Sequence, residues 1–276
     1  GIPEFGTDFV MQMLRDTKPE AFSDLVRISG LSHGTDVWLG NAQTLIQEGK
    51  CTISSAICTR DDIMIYLINK GIESEQSFKI MESVRKGKGL TPEWEELMKE
   101  HDVPDWYIWS CKKIKYMFPK AHAVAYVMMG FRIAWFKIHR PLAYYAAFFS
   151  IRATAFDYAL MCQGKEEQDT LRDMCIVQEM YARGFEFLPI DLYESQATKF
   201  IIKDGKLLPP FSSIEGMGGI AAEALYDEAA KGKFMSRDDI RQRAKVSQTT
   251  LDTMAELGLL GDLPMSNQLS IFDLNL

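Results

Sequence analysis

A run of basic side chains without acidic neighbours occupies the middle of the chain. Between Trp106 and Ala155 the sequence contains no aspartate or glutamate. The whole chain has a formal net charge of −7, and since this segment contributes +8, the remaining residues carry −15. A chain that concentrates its positive charge in this way presents one face to an anionic partner. The eight basic residues are Lys112, Lys113, Lys115, Lys120, Arg132, Lys137, Arg140 and Arg152.

The pattern inside this segment predicts a helix from Ala121 to about His139. Lys120 and His122 then lie at its opening, where unpaired backbone N–H groups and the helix dipole favour phosphate. Tyr126 follows one turn later and Gly130 one turn after that, which would add an aromatic ring and an open spot for a flat base. The spacing leaves an alternative open: a buried amphipathic helix in which Lys120 and His122 only cap the end.

Two loops earlier in the chain carry further basic residues. Arg60 stands just before a predicted helix and could bind a phosphate, although pairing with Asp61 or Asp62 is its default role. The run Lys86-Gly87-Lys88-Gly89 follows a helix predicted over 73–85. Glycines between lysines let the backbone approach a phosphate chain, but such a loop is more often a solvated linker.

Four stretches resemble a known family. Phe118-Pro-Lys-Ala-His-Ala-Val-Ala-Tyr126 and Trp135-Phe-Lys-Ile-His-Arg-Pro141 resemble the fingers segment of bacterial DNA polymerase III α subunits. Residues 30–41 (GLSHGTDVWLGN) and 80–89 (IMESVRKGKG) are similar to the PolC type in particular. The resemblance runs essentially from residue 1 to residue 272.

This resemblance implies a part of a replicative DNA polymerase that works on primer-template DNA and deoxynucleoside triphosphates. The catalytic aspartates and their Mg²⁺ would lie in an upstream palm, so no catalytic or metal-binding residue is expected in this C-terminal fragment. The fragment alone is expected to be inactive. The residues expected to line the incoming nucleotide are His33, Arg60, Arg85, Lys86, Lys88, Lys120, His122 and Tyr126. Trp106, Tyr107 and Trp109 are interpreted as the core of a helix rather than as a base-stacking platform.

The second half of the chain has a different character. One long helix is predicted over 157–183, followed by strands over 185–195 and 199–208 with Asp204-Gly205 as a tight turn. The sequence from Phe211 to Leu225 fits a helix-hairpin-helix pattern, and a second unit is predicted over 236–260. Glycines at such a hairpin let backbone N–H groups touch DNA phosphates. The residues assigned to DNA binding are Gly216, Met217 and Gly218, with an ordinary glycine-rich helix start as the alternative.

The C-terminal tail carries apolar residues after a proline. Gln268-Leu269-Ser270-Ile271-Phe272 resembles the pentapeptide that binds the bacterial sliding clamp. Exposed apolar residues in a loose tail need a partner's pocket or a place on their own domain. The alternative is therefore a C-terminal strand or turn that covers its own domain.

The expected fold is mainly α. Helical polymerase fingers (1–155) are followed by a duplex-DNA-binding region with a small β element and a tandem helix-hairpin-helix unit (156–262), then by a flexible clamp-binding tail (263–276). Five cysteines without a CxxC pair indicate a reduced, cytoplasmic protein without a zinc site, and no apolar run approaches the ~20 residues of a membrane span. The alternative function is a non-catalytic helix-hairpin-helix adaptor tethered to the clamp.

Overall fold

A computed structural model describes residues 1–152 and 165–267, with side chains from residue 171 in the second range. The chain divides into two compact units. Residues 2–134 form the N-terminal unit, and residues 135–276, grouped with Gly1, form the C-terminal unit. This division falls within one helix. The functional boundary predicted near residues 152–157 is a separate matter and stays a prediction.

The N-terminal unit is helical. The helix that begins at Pro92 shows how local sequence starts a helix here. The Thr91 hydroxyl accepts from the backbone N–H of Trp94, and Pro92 takes the first helical position. A π-helical turn, Trp38–Ala42, precedes the third helix. The helices are α1 (Asp8–Thr17), α2 (Phe22–His33), α3 (Gln43–Gln47), α4 (Arg60–Asn69), α5 (Ser74–Arg85), α6 (Pro92–Glu100), α7 (Asp105–Lys113) and α8 (Lys120–His139), which continues into the C-terminal unit.

Helix α2 begins at Phe22, one residue before Ser23, although serine is a common helix cap. The carboxylate of Asp24 accepts hydrogen bonds from the backbone N–H groups of Glu20 and Ala21, at 3.2 and 3.1 Å. Asp24 thus satisfies the free amides at the start, and the helix begins before Ser23. Its C-terminal end extends to His33, so Ser32 and His33 lie in the helix.

One continuous apolar core fills the N-terminal unit. Tyr107 of α7 is fully buried there, while Trp106 packs against the core from its edge. The core interpretation is therefore confirmed for Tyr107 and Trp106 but wrong for Trp109, whose side chain is 38% exposed. The largest fully buried members are Met13, Ile28, Leu31, Ile57, Ile63, Leu67, Ile80, Met98 and Ile114.

A buried polar pair fixes the π-helical turn to α7. The hydroxyl of Ser110 donates to Asn41 Oδ1 at 2.6 Å, and Asn41 Nδ2 donates to the Ser110 carbonyl at 3.3 Å. Both residues are nearly inaccessible, at 1% and 2%. Asn41 Nδ2 also donates to the carbonyl of Asp36 at 2.9 Å. Because buried polar groups need hydrogen-bond partners, these bonds between Asn41 and Ser110 hold the turn in one position on α7.

The C-terminal unit contains helices and a short hairpin. Asp204 and Gly205 both have positive φ (51° and 75°), as a two-residue hairpin turn requires, so the predicted turn is confirmed. Of the strand predicted over 185–195, only Phe187 bridges to Leu207; residues 191–195 form a turn. The elements are α9 (Pro141–Ile151), α10 (Lys165–Ala182), β1 (Ile201–Lys203), β2 (Lys206–Leu208), a 3₁₀ turn (Phe211–Ser213), α11 (Gly219–Lys231), α12 (Arg237–Ala244) and α13 (Gln248–Glu256).

Aromatic residues of α9 form the first part of this unit's interior. Four of these residues are buried: Tyr144, Tyr145, Phe148 and Phe149. Phe149 lies 5.3 Å from the ring of Phe187 and 5.7 Å from that of Phe200, which joins α9 to the hairpin region. Burial and a hydrogen bond to Glu179 raise the pKa of Tyr145 to about 12.

A second core lies among α11, α12 and α13. Ser247 caps α13, since its hydroxyl accepts from the backbone N–H of Thr250 at 3.1 Å. The chain then returns to α12, where the carbonyls of Pro264 and Met265 accept from the first backbone N–H groups of that helix. The main members of this core are Phe211, Ile214, Met217, Ala222, Leu225, Phe234, Ile240, Leu251, Met254 and Leu260.

Helix length and polarity also bear on membranes. No helix within the described residues is long and apolar enough to cross a bilayer. The longest, α8, is interrupted by Arg132 and Lys137.

We predict that Asn41→Ala destabilises the N-terminal unit by about 1–3 kcal/mol, because the buried Ser110 hydroxyl and carbonyl lose their partner. The measurement is urea unfolding followed by tryptophan fluorescence. Asn69→Ala is the matched control, since Asn69 lies exposed at the end of α4, and its effect should stay within about 0.5 kcal/mol. Equal effects of the two changes would contradict a special role for the buried pair.

Candidate functional sites

A glutamate on α5 gathers three of the predicted nucleotide-binding residues. Glu82 accepts a bidentate pair of hydrogen bonds from Arg85, at 2.7 and 2.9 Å, and lies 3.0 Å from Lys86 Nζ. Arg60 Nη1 approaches the same carboxylate at 4.0 Å. The bonds from Arg85 and Lys86 lower the pKa of Glu82 to about 2. Glu82 therefore stays ionised and fixes these cations on one side of α5.

Two aspartates at the start of α4 hold the start of α8. Asp61 Oδ2 accepts from the backbone N–H of Lys120 at 2.7 Å, and Asp62 Oδ1 accepts from Lys120 Nζ at 3.0 Å. Arg60 Nε lies 3.9 Å from Asp61, and its backbone N–H donates to the carbonyl of Phe118 at 3.2 Å. The first free amide of α8 is thus already bound to a carboxylate, as expected at a positive helix end.

Four rings lie in a row beside this charged cluster. The imidazole of His33 stacks on Phe118 with centroids 4.8 Å apart, and Phe118 meets His122 edge-on at 5.4 Å. The His122 ring then lies 4.8 Å from that of Tyr126, one turn along α8. His33 also contacts Glu4, with Nε2 2.6 Å from a carboxylate oxygen. Tyr126 remains nearly half exposed, so its ring can contact a ligand.

The Lys86–Gly89 loop packs closely on the segment that leads into α8. Gly87 has φ of +71°, and a Cβ there would lie 2.5 Å from the Lys115 carbonyl. Only glycine fits this approach. The hydroxyl of Ser83 donates to the Gly89 carbonyl at 2.8 Å, which closes the loop. Lys88 is left exposed, without an ion-pair partner among the described residues.

All eight predicted nucleotide-binding residues lie in the N-terminal unit. Contacts connect Arg85, Lys86, Arg60 and Lys120 through the three carboxylates. Phe118 then connects this cluster to the row of rings, while Lys88 joins through its loop. The prediction of open space beside Gly130 is wrong. A Cβ at this position would lie 2.8 Å from the Pro3 carbonyl, so the start of the chain covers Gly130.

Sequence reasoning missed several members of this cluster. Glu82 stands three and four residues before Arg85 and Lys86, a spacing that signals ion pairs on a helix. Phe118 carried the family resemblance, but its role between the two histidines was not predicted. The contact of Asp61 and Asp62 with Lys120 joins residues almost sixty positions apart, and no local pattern reveals it. The default pairing of Arg60 with Asp61 is observed.

The glycines of the C-terminal unit form the predicted hairpin. Gly216 has φ of +77°, Gly218 is the N-cap of α11, and nothing lies within 4 Å of a Cβ built at Gly218 or Gly219. Met217 differs from its assignment: its side chain is 6% exposed in the core, and its backbone N–H donates to the Ile214 carbonyl at 3.0 Å. The surface therefore offers the amides of residues 218–220 rather than that of Met217.

A basic residue on α12 supports the hairpin from inside its own unit. Arg243 donates to the Glu228 carbonyl at 2.6 Å and to the Glu228 carboxylate at 3.2 Å. It also lies over the ring of Phe234, 4.5 Å from the centroid, and pairs with Asp239. These contacts fix α12 against the end of α11, so Arg243 serves packing.

Two family models match separate parts of this chain. A family model for the bacterial DNA polymerase III alpha subunit finger domain matches residues 1–102. A model for the helix-hairpin-helix motif matches residues 184–269. The DNA polymerases III of PolC type from Bacillus subtilis and Staphylococcus epidermidis are each 54% identical to this chain, in alignments that cover 99% of it. The one from Caldanaerobacter subterraneus subsp. tengcongensis is 53% identical over the same share.

Over nearly its whole length, the chain is similar to one part of the PolC-type DNA polymerases III. The resemblance inferred from its sequence is confirmed, as is the mainly helical fold with a small two-stranded sheet. The chain spans about a fifth of the length of the curated relatives it matches, 20–21%. The activity of the whole polymerase is therefore a proposal for this chain.

The carboxylates of the candidate nucleotide site are all engaged by basic groups. Within the described ranges, no group of three or more His, Cys, Asp or Glu side chains is placed to hold a metal ion. Asp61 and Asp62 lie side by side but both contact Lys120, and Glu82 is bound by basic side chains. These residues do not fit the Mg²⁺ of a polymerase. The pentapeptide Gln268–Phe272 lies outside the described residues.

Glu82 gives this site a pH dependence. Its pKa in the folded chain lies near 2 against an ordinary value of 4.5, so its stabilising contribution is present above about pH 4.5 and is lost as the pH falls towards 2. We expect Glu82→Gln to be less stable than the parent chain at pH 6, with a difference that shrinks between pH 4.5 and 2. Urea midpoints across this range measure it.

Glu100→Gln provides the control, because Glu100 is exposed at the end of α6 and forms no ion pair among the described residues. A deficit of Glu82→Gln that stays constant from pH 6 to pH 2 would show that the carboxylate is not held in its ionised form.

Proposed function

We propose that this chain is the part of a replicative DNA polymerase that binds the triphosphate of the incoming deoxynucleotide, holds the duplex product and tethers the enzyme to the sliding clamp. The observation that carries the proposal is the cluster of four cations around Glu82, Asp61 and Asp62 beside a row of rings. Cations at helix ends suit phosphates, and the exposed Tyr126 suits a base or sugar.

The carboxylates of the cluster act as stand-ins for phosphate oxygens. In the free chain they neutralise Arg60, Arg85, Lys86 and Lys120, most of which are partly exposed. Ion pairs exposed to this degree contribute only about 0–1 kcal/mol each. A triphosphate carries more charge than a carboxylate and can take over these side chains at little cost. The cations are thus kept in position before the nucleotide arrives.

The cluster supplies binding and orientation, and the chemistry of nucleotidyl transfer requires two metal ions held by carboxylates. The family resemblance assigns those carboxylates and their Mg²⁺ to a palm outside these residues. We accordingly expect the chain alone to show no template-dependent synthesis. The adaptor alternative is disfavoured because residues 1–102 match a polymerase fingers model, which an adaptor has no reason to contain.

Lys120→Ala tests the nucleotide site in the complete polymerase. Removing the ammonium leaves Asp62 without its cation and takes one charge from the triphosphate. We expect kcat/KM for the nucleotide to fall by about tenfold or more, which corresponds to ~1.4 kcal/mol or more of transition-state stabilisation. Steady-state incorporation assays measure this change.

Lys79→Ala is the matched control: it removes the same charge from an exposed helical lysine that pairs only with Glu75. The assignment fails if both variants retain the kcat/KM of the parent enzyme, or if both lose it equally.

Duplex binding is proposed to use the amides of residues 218–220 at the start of α11. Gly218 has φ of −71° and open space around its Cβ position, so valine fits there without strain in the free chain. We expect Gly218→Val to weaken duplex binding by about tenfold, since one hydrogen bond to a charged group contributes ~1.5 kcal/mol or more. The loss should be similar on every sequence, because phosphate contacts carry no sequence information.

Ala230→Val, which adds the same bulk at an exposed position near the other end of α11, controls for a general effect on that helix. Duplex affinity is measured by fluorescence anisotropy at several salt concentrations. If Gly218→Val binds as tightly as Ala230→Val, the glycines serve the fold and not the DNA.

The tail is proposed to dock on the sliding clamp through Gln268–Phe272. Leu269, Ile271 and Phe272 can fill an apolar pocket, each worth roughly 1.5–3 kcal/mol when fully buried. Ordering a short segment consumes part of this gain, so a dissociation constant on the order of micromolar is expected. Leu269→Ala with Phe272→Ala should abolish clamp binding in a titration, while Asn275→Ala should leave it unchanged. Survival of binding in the double variant would remove the pentapeptide as the tether.

A further inference from the structure

Helix α7 exposes a large aromatic ring that the core does not use. Its neighbours Ile108 and Ser110 are buried, whereas Trp109 is 38% exposed. The ammonium group of Lys113, one turn later, lies 4.1 Å from the centre of the indole ring. This cation–π contact holds the ring in place and puts a positive charge directly beside it.

The π-helical turn fixes the other side of this surface. Lys113 Nζ donates to the Gly40 carbonyl at 2.9 Å, so the turn and the indole share one ammonium group. The buried Asn41–Ser110 pair locks the turn to α7 immediately beneath. Leu39, next to Gly40, is 62% exposed to solvent. The exposed ring and the exposed leucine are thus parts of a rigid surface.

Unpaired cations continue this surface towards the proposed nucleotide site. Lys115 follows α7 and is exposed, with its backbone packed against Gly87 of the Lys86–Gly89 loop. Neither Lys115 nor Lys88 has an ion-pair partner among the described residues. Lysines therefore run from the loop at the nucleotide site to the ring of Trp109.

The acidic residues around this surface are few. Glu95 is neutralised by Lys112 at 2.9 Å. Asp105 precedes Trp109 by one helical turn and so lies on the same face of α7, and Asp36 immediately precedes the turn region. Two aspartates thus adjoin the ring and the turn in sequence, against the three lysines Lys88, Lys113 and Lys115.

We propose that this surface binds unpaired single-stranded nucleic acid, with one base stacked on Trp109 and neighbouring phosphates on Lys113, Lys115 and Lys88. Aromatic rings beside cationic grooves bind single strands in this way, since every base has a face that can stack. A peptide partner is disfavoured because Lys88, Lys113 and Lys115 accompany the exposed ring and leucine. Within a polymerase the occupant is the template strand ahead of the copied base, and this last step rests on the proposed function.

The test measures the affinity of the chain for a fluorescein-labelled twelve-nucleotide oligothymidylate by fluorescence anisotropy, beside a duplex of equal length. Trp109→Ala should weaken single-strand binding by about 5- to 150-fold, the equivalent of the ~1–3 kcal/mol of one stacked base. Trp109→Tyr, which preserves a ring, should stay within about threefold of the parent chain, and duplex binding should stay unchanged in both variants.

Lys113→Gln provides a second measurement, which tests the phosphate contact while the indole is retained. It should reduce the salt slope of single-strand binding by about 0.7, the contribution of one phosphate contact. Trp135→Ala is the control for the loss of an indole, because Trp135 is similarly exposed in the other unit. It should leave the affinity unchanged.

The proposal is overturned if Trp109→Ala and Trp109→Tyr weaken binding equally, if Trp135→Ala weakens it as much as Trp109→Ala, or if the salt slope is the same in Lys113→Gln. Binding that is lost only for the duplex, or a surface that captures an apolar peptide instead of the oligonucleotide, also overturns it. No nucleoside triphosphate is present in this test, so a negative result with Lys120→Ala leaves its outcome unaffected.

Discussion

The nucleotide site proposed in the N-terminal unit depends on ion pairs between three carboxylates and four cations. The carboxylates belong to Asp61 and Asp62 of α4 and to Glu82 of α5. Asp61 and Asp62 bind the first residue of α8, and Glu82 binds the end of its own helix together with Arg60. Without these anions, four positive groups would repel one another at short range. The acids place the cations, and because the pairs are partly exposed, they can be exchanged for a stronger anion.

The same balance explains how a chain with net charge −7 could bind nucleic acid and nucleotides as proposed. Positive side chains are concentrated between residues 106 and 155, but several of them are engaged. Lys137 binds Glu179 at 2.9 Å, and Lys112 binds Glu95 at the same distance. In the C-terminal unit, where Arg243 is fixed against Glu228, the hairpin offers backbone amides that need no positive side chain. The net charge of the chain therefore does not decide whether it can bind an anion; the few cations and backbone amides left available at each site do.

Much of the fold could be predicted from local signals. Caps such as Thr91 and Ser247, the Asp204-Gly205 turn and the aromatic spacing of α9 each identify an element without reference to the rest of the chain. The core interpretation of Trp109 was wrong because contacts with a turn about seventy residues earlier decide which side of α7 is exposed. No local pattern shows such contacts. Gly130 was misread for a related reason, since the start of the chain covers it. The basic residues of the site could be named from motifs, but their carboxylate partners could be seen only in three dimensions.

The central claim is that a triphosphate takes the place of Glu82, Asp61 and Asp62 on the clustered cations. The most direct measurement is photo-crosslinking of a deoxynucleotide with a photoreactive group on its terminal phosphate, in the complete polymerase bound to primer-template. Mapping of the adducts by mass spectrometry should place them on peptides that contain residues 82–89 or 118–122. Adducts confined to other parts of the polymerase, with both peptides unmodified, would contradict the account.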